Sequence, residues 1–227
     1  VDLPGTYSLT AYSQEERVAR NFIIEEKPDV VVDVIDASNL ERNLYLAVQL
    51  MELGVPVVLA STMSDVAKVR GFQFDLAEMS RLLGAPIVET VGSRGTGLDE
   101  LVAAAAAAAR RPAPPTPAIR YGADLEQAIE RLQAKLEGQL PRADERERRW
   151  TALKLLENDA EVAGRVASGD MHRLVRAEQE RLSALLGDSP ELLIADARYG
   201  FISGLCQETV RSTVETRRTA SDRIDEI

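Results

Sequence analysis

Three short runs carry side chains suited to gripping a phosphorylated ligand. Asp2-Leu3-Pro4-Gly5 is a DxxG sequence. In a phosphate-binding α/β domain such an Asp holds Mg²⁺, often through water. The Gly lets its backbone N–H approach a terminal phosphate with no side chain in the way. Taken alone, the same residues read equally as a proline-containing turn. Thr62-Met63-Ser64-Asp65 resembles the N-K-x-D, T-K-x-D and N-M-x-D loops that read a purine. A carboxylate at Asp65 accepts two hydrogen bonds from the guanine N1–H and exocyclic amine. Adenine presents no such donor pair, so this one residue would select guanine. Val91-Gly92-Ser93, continuing through Arg94-Gly95-Thr96-Gly97, matches a loop whose backbone N–H contacts the guanine O6. A plain glycine-rich turn is its other reading.

These runs need strand ends to hold them. Ser13-Gln14-Glu15-Glu16 reads as a capping box that opens a helix carrying Val18, Phe22 and Ile23, which Pro28 stops. Residues 29–36 (DVVVDVID) are a β-branched run suited to a buried strand. Ser38-Asn39-Leu40-Glu41 predicts a second capping box, opening a helix with Leu44, Val48 and Met51 that Gly54 ends. Residues 55–60 (VPVVLA) and 86–90 read as further strands. Asp75 caps a short helix with Leu76, Met79, Leu82 and Leu83, and residues 98–110 form an alanine-rich helix. Strands alternating with helices imply a parallel sheet with helices on its faces. Each of the three runs, the DxxG included, is then expected at the C-terminal end of its strand, where ligands bind in open α/β sheets. Their order and spacing carry more weight than any one of them.

Residues 111–119 (RPAPPTPAI) cannot be helix or central strand, so a domain boundary is expected there. Beyond it strand signals vanish. Four helical stripes follow: Leu125, Ile129, Leu132, Leu136; Trp150, Leu153, Leu156; Leu174, Leu182, Leu185, Leu186; and Ile194, Ala197, Phe201, Leu205. The expected architecture is an α/β domain over residues 1–111, a linker over 112–119 and a small all-α bundle over 120–227. Each stripe set looks self-sufficient, so the bundle is expected to fold independently.

Composition narrows the function classes. Of 227 residues 45% are hydrophobic and only 4% aromatic, so the core must be aliphatic. The net charge is −10, with an acidic excess in both halves. No basic stripe offers a grip on a phosphate backbone, so nucleic acid is not an expected partner. The one cysteine, Cys206, excludes an internal disulfide and reads as buried. His172 is the one histidine and reads as a surface or packing residue. A structural zinc site therefore lacks ligands. No uncharged run approaches the roughly 20 apolar residues of a membrane span, so the piece itself is expected to be soluble.

Longer runs carry a resemblance. Asp2-Leu3-Pro4-Gly5-Thr6-Tyr7-Ser8-Leu9-Thr10-Ala11-Tyr12-Ser13 with Glu15-Glu16, then residues 29–46 ending in Asn39-Leu40-Glu41-Arg42-Asn43-Leu44-Tyr45-Leu46, are similar to the bacterial ferrous iron transport protein B family. So are Arg149-Trp150, residues 153–157, Ile194-Ala195-Asp196-Ala197-Arg198-Tyr199 and residues 219–225. The resemblance covers essentially the whole chain. It implies a P-loop GTPase-type domain that binds GTP and GDP with Mg²⁺, followed by a helical domain. Together they would form the cytoplasmic part of an Fe²⁺ uptake transporter in the bacterial inner membrane. On it, Asp65 reads guanine, Asp2 and Gly5 sense Mg²⁺ and the γ-phosphate, and residues 6–13 relay the nucleotide state. The transmembrane domain of the same parent chain is the implied partner, and a homo-oligomer is left open.

Departures from the pattern matter. The chain starts at switch II, so the phosphate-cradling loop and switch I are expected to lie outside it, and the piece alone should not turn over GTP. Thr62 stands where Asn is usual, and Ser64 and Gly92 also depart. One hydroxyl in place of an amide predicts weaker nucleotide binding, improved by Thr62→Asn. Thr6 rather than Gln follows the DxxG, so no side chain orients an attacking water. The rival readings are a soluble GTPase of ribosome or tRNA maturation, and a helical adaptor on an inactive G domain.

Overall fold

The structure is a computed structural model and describes residues 1–10, 13–110, 119–166 and 168–212. The linker expected over residues 112–119 lies outside the described residues but for Ile119, as do residues 219–225. The first half runs α1 (Gln14–Glu26), β1 (Val31–Asp36), α2 (Leu40–Leu53), β2 (Val57–Thr62), α3 (Ser64–Val69), β3 (Phe72–Phe74), α4 (Leu76–Leu83), β4 (Ile87–Glu89) and α5 (Leu98–Ala108). The second runs α6 (Ala123–Glu137), α7 (Glu145–Leu156), α8 (Ala160–Arg165), α9 (Gly169–Leu186), α10 (Pro190–Thr209) and β5 (Val210–Ser212).

Strands β1, β2 and β4 form a parallel sheet in that order, with Asp36 opposite Thr62 and Ser61 opposite Glu89. Central β2 is buried from Val57 to Ser61, which is why its sequence is a continuous apolar run. In β1, Asp33 and Ile35 turn inward, while Val34 on the other face is 62% exposed. The Ser13 capping box is present as expected, with Ser13 and Glu16 each bonding the other's backbone N–H.

The second expected capping box is absent. Asn39 precedes α2 and makes no side-chain cap. Instead the Asp36 carboxylate accepts the Ser38 N–H at 2.8 Å and starts a 3₁₀ turn over Ala37–Asn39. An Asp at the end of a strand reaches forward two residues, so the turn captures the chain before Ser38 can cap anything. Strand pairing also persists beyond the first half. β5 pairs antiparallel with β3, Phe72 opposite Ser212 and Phe74 opposite Val210. Three-residue strands have no usable periodicity, so neither was visible in the sequence.

The two halves share one apolar core. Leu44, Ala47 and Val48 of α2 belong to the same buried cluster as Trp150, Leu153, Ile194, Ile202 and Leu205. α10 packs along α2 and α4, and α7 along α2. The bundle's stripes therefore do not face only one another. Its first, second and fourth stripes face inward, yet part of what they face is α2. The third stripe is split, with Leu182 buried and Leu185 and Leu186 exposed where α9 ends.

Buried ions cross the same boundary. Arg198 of α10 is fully buried and bonds Glu52 of α2 twice, at 2.9 and 2.7 Å, and Glu157 of α7. Lys154 adds a 2.8 Å bridge to Glu157, and the Tyr121 hydroxyl donates to Glu52. Arg20 of α1 reaches across to Asp159 at 2.5 Å and to Glu161. The two flanking carboxylates hold the Arg198 guanidinium charged, against the opposing pull of burial.

Candidate functional site

The base-reading candidates form one constellation. β2 ends at Thr62, whose hydroxyl donates to the Ile35 carbonyl at 3.0 Å, tying the C-terminal end of β2 to that of β1. Met63 then adopts φ 57° and ψ 22°, a left-handed conformation unusual for a non-glycine residue. That bend turns the chain into α3 and presents Asp65 in its exposed first turn. Asp65 accepts the Val66 N–H through one oxygen at 3.0 Å. Ser64 is buried, and its hydroxyl has no hydrogen-bond partner.

The second loop lies beside the first because β4 lies beside β2. The Thr90 N–H donates to the Ser61 carbonyl at 2.8 Å, and Lys68 bridges to Glu89 at 2.5 Å. Val91 then pairs with Thr96, closing a small loop with a 3₁₀ turn at Gly92–Arg94. Gly97 has φ +80°, and a Cβ there would sit 2.1 Å from the Glu89 carbonyl oxygen. Only glycine fits that crossing from β4 into α5. Gly92 and Ser93 are exposed at the rim. Thr62, Met63, Ser64, Asp65, Val91, Gly92 and Ser93 are thus neighbours at one end of the sheet.

The DxxG run is not brought to that constellation. Asp2, Leu3, Pro4 and Gly5 line a groove of about 560 Å³ with residues 30–34, Phe22, Ile23, Leu46 and Leu50. None of residues 62–65 or 91–93 lines it. Downstream the segment is anchored firmly: Leu9 is buried and its N–H donates to the Gln49 side chain of α2 at 2.6 Å. The Thr6 hydroxyl donates to the Ser8 carbonyl at 2.8 Å. Asp2 is exposed, and among the described residues no group of three His, Cys, Asp or Glu could hold a metal. One open carboxylate suits Mg²⁺, which takes one or two protein carboxylates and completes its shell with water and phosphate oxygens.

Sequence reasoning missed Asp33 in that same groove. It is 7% exposed, one of its carboxylate oxygens has no partner, and burial pushes its pKa up to about 7. A lone Asp inside a β-branched run was the available signal. Cys206 is buried, with its thiol pushed up to about 11, so it is a poor nucleophile. His172 is exposed, its Nε2 3.3 Å from the Ala163 carbonyl oxygen.

Known families match both halves. The family model described as Ferrous iron transport protein B matches residues 1–105, and that of the FeoB cytosolic helical domain matches residues 121–211. The Fe(2+) transport protein A/Fe(2+) transporter FeoB fusion protein of Porphyromonas gingivalis is 40% identical over all of this chain, which spans 28% of that protein. The Fe(2+) transporter FeoB of Escherichia coli K12 is 35% identical over 99% of this chain and 29% of its own length. The crystal structure of mGMPPNP-bound NFeoB from S. thermophilus superposes with a TM-score of 0.80 at 34% identity, covering 91% of this chain and 77% of that one. A P-loop GTPase-type α/β domain followed by a helical domain, matched across nearly its whole length, makes this chain a member of the ferrous iron transport protein B family.

Proposed function

We propose that this chain is the guanine-reading and coupling part of a bacterial Fe²⁺ uptake transporter, working on the cytoplasmic side of the inner membrane and joined to a membrane-embedded part of the same polypeptide. The observation that carries this reading is the juxtaposition of the Thr62–Asp65 loop with the Val91–Ser93 loop at one end of the parallel sheet, in a member of this family. Asp65 pairs with the guanine N1–H and amine, and backbone N–H groups of the 91–93 loop face O6. Asp2 would supply a protein carboxylate for Mg²⁺, which when bound would offset the negative charge of the nucleotide phosphates. The space where a Cβ would stand at Gly5 is open, which leaves room for a phosphate beside its backbone N–H. Leu9, held on Gln49, joins this segment to α2 one turn before Glu52 and its bond to Arg198. That path runs from the phosphate-sensing segment to the helical half.

Among the described residues no helix is long and apolar enough to cross a membrane. Residues 1–227 by themselves hold no Walker-type Gly-Lys-Ser or Gly-Lys-Thr run. The purified chain is therefore expected to turn over no GTP above a protein-free blank; measurable turnover would show that the phosphate-binding loop is dispensable. The base assignment is tested by titrating labelled GDP and ADP against the full-length protein and its Asp65→Ala variant. Loss of the guanine preference in Asp65→Ala is expected, and its survival would sink the assignment.

A further inference from the structure

We propose that Thr62 is a positioning residue rather than a base contact: its hydroxyl clips the end of β2 to the end of β1 and so holds Asp65 for the guanine edge. This deepens the reading above and rests on it. The purine N7 is an acceptor and needs a donor. Thr62 has a single proton to give. That proton is directed at the Ile35 carbonyl, 27 residues away in sequence, at 3.0 Å. The group that would replace the usual amide is therefore committed inside the protein.

What the clip holds is specific. Thr62 lies opposite Asp36 in the β1–β2 register. The Asp36 carboxylate opens the Ala37–Asn39 turn, and α3 rests on that turn. The contacts therefore close a ring: from Thr62 to the Ile35 carbonyl, through Asp36 and the turn, to the helix bearing Asp65. Its fourth side is Met63, whose left-handed backbone is not a conformation a non-glycine residue holds without support from its surroundings. Without the hydroxyl, the last peptides of β1 keep only their backbone pairing with β2, and the turn beneath α3 is held less firmly. The consequence falls on affinity for every guanine nucleotide alike, because Asp65 still makes the discrimination.

The test uses the full-length protein, with GDP and 7-deaza-GDP, which lacks the N7 acceptor. Thr62→Val keeps the branched shape and removes the hydroxyl, Thr62→Ser restores it, and Thr62→Ala is a second hydroxyl-free variant. The expected result is five- to twentyfold weaker binding of both nucleotides in the Val and Ala variants, by the same factor for each, with Ser within threefold of wild type. Amide hydrogen exchange at residues 35–39 should be faster in nucleotide-free Thr62→Val than in wild type, and normal in Thr62→Ser. Two results overturn the proposal. One is Thr62→Val binding GDP within twofold of wild type with unchanged exchange. The other is a penalty that appears with GDP and vanishes with 7-deaza-GDP, which would put the hydroxyl on N7. The Asp65→Ala arm separates the two levels. If guanine preference survives there, the loop assignment fails; if it is lost while Thr62→Val behaves as wild type, only the positioning role fails.

Discussion

At the scale of single residues, Asp33 has the clearest physical signature in this chain. Its carboxyl sits among aliphatic side chains with one oxygen unpartnered, and burial alone raises it from 3.8 to about 7. The native state therefore holds a proton that the unfolded chain has released between those two values. Stability should fall as pH rises from about 4 to about 7 and level off above. A three-unit shift corresponds to roughly 4 kcal/mol at about 1.4 kcal/mol per unit, an upper bound once local relaxation is allowed. Asp33→Asn cannot ionise. It should abolish most of this slope and be the more stable form at pH 8, by about 1–3 kcal/mol. Urea midpoints at pH 5 and pH 8 measure it, and an unchanged slope would assign the titration to other groups. Thr62 shows the opposite case: a polar group whose hydroxyl has a partner within the protein, the Ile35 carbonyl.

At the scale of elements, the β4-to-α5 connection depends on one backbone conformation. Gly97 combines a positive φ with a Cβ position that overlaps the Glu89 carbonyl. Gly97→Ala must therefore displace the end of β4, and with it the 91–93 loop beside Asp65. A loss of about 1–3 kcal/mol in stability is expected, together with weaker GDP binding. Gly92→Ala is the control, because its Cβ would meet nothing within 4 Å and its φ is not positive. Thermal melts of both variants decide it, and equal melting temperatures would show that the loop relaxes freely. The β3–β5 ribbon is a second element-level feature. It fastens the chain leaving α10 to the strand that follows α3, with the Asp75 N–H donating to the Thr209 carbonyl at 2.8 Å.

Over the whole molecule, the junction between the halves is both apolar and ionic. Arg198 neutralises Glu52 and Glu157 with no access to water. Replacing it by Met leaves two carboxylates buried without their shared cation, which typically costs about 3–5 kcal/mol. Chemical denaturation of Arg198→Met measures that loss, and a change under 1 kcal/mol would show that the carboxylates find water or protons cheaply. The shared core makes a related prediction. Residues 119–227 alone would expose the α7 and α10 faces that meet α2, so their thermal melt should be broader and lower than that of the whole chain. An equally sharp melt at the same temperature would restore the view of two self-sufficient halves.

Much of this protein was legible in local pattern. Alternating strand and helix signals, the Ser13 cap, the buried β2 run and the stripes of α6, α7 and α10 are set by periods of two to four residues, which the chain displays directly. The place of Asp65, just past the end of β2, was legible for a related reason: a strand end followed by a short loop is a local arrangement. Tertiary structure alone decided which partner each group found. The Ile35 carbonyl that takes the Thr62 proton lies 27 residues away, the Arg198 that answers Glu52 lies 146 away, and β5 must cross the molecule to reach β3. Sequence displays the capacity of a hydroxyl, a guanidinium or a three-residue strand to bond. The choice among acceptors follows from chain reversal and burial, which bring distant groups together and exclude the water that would otherwise serve them all.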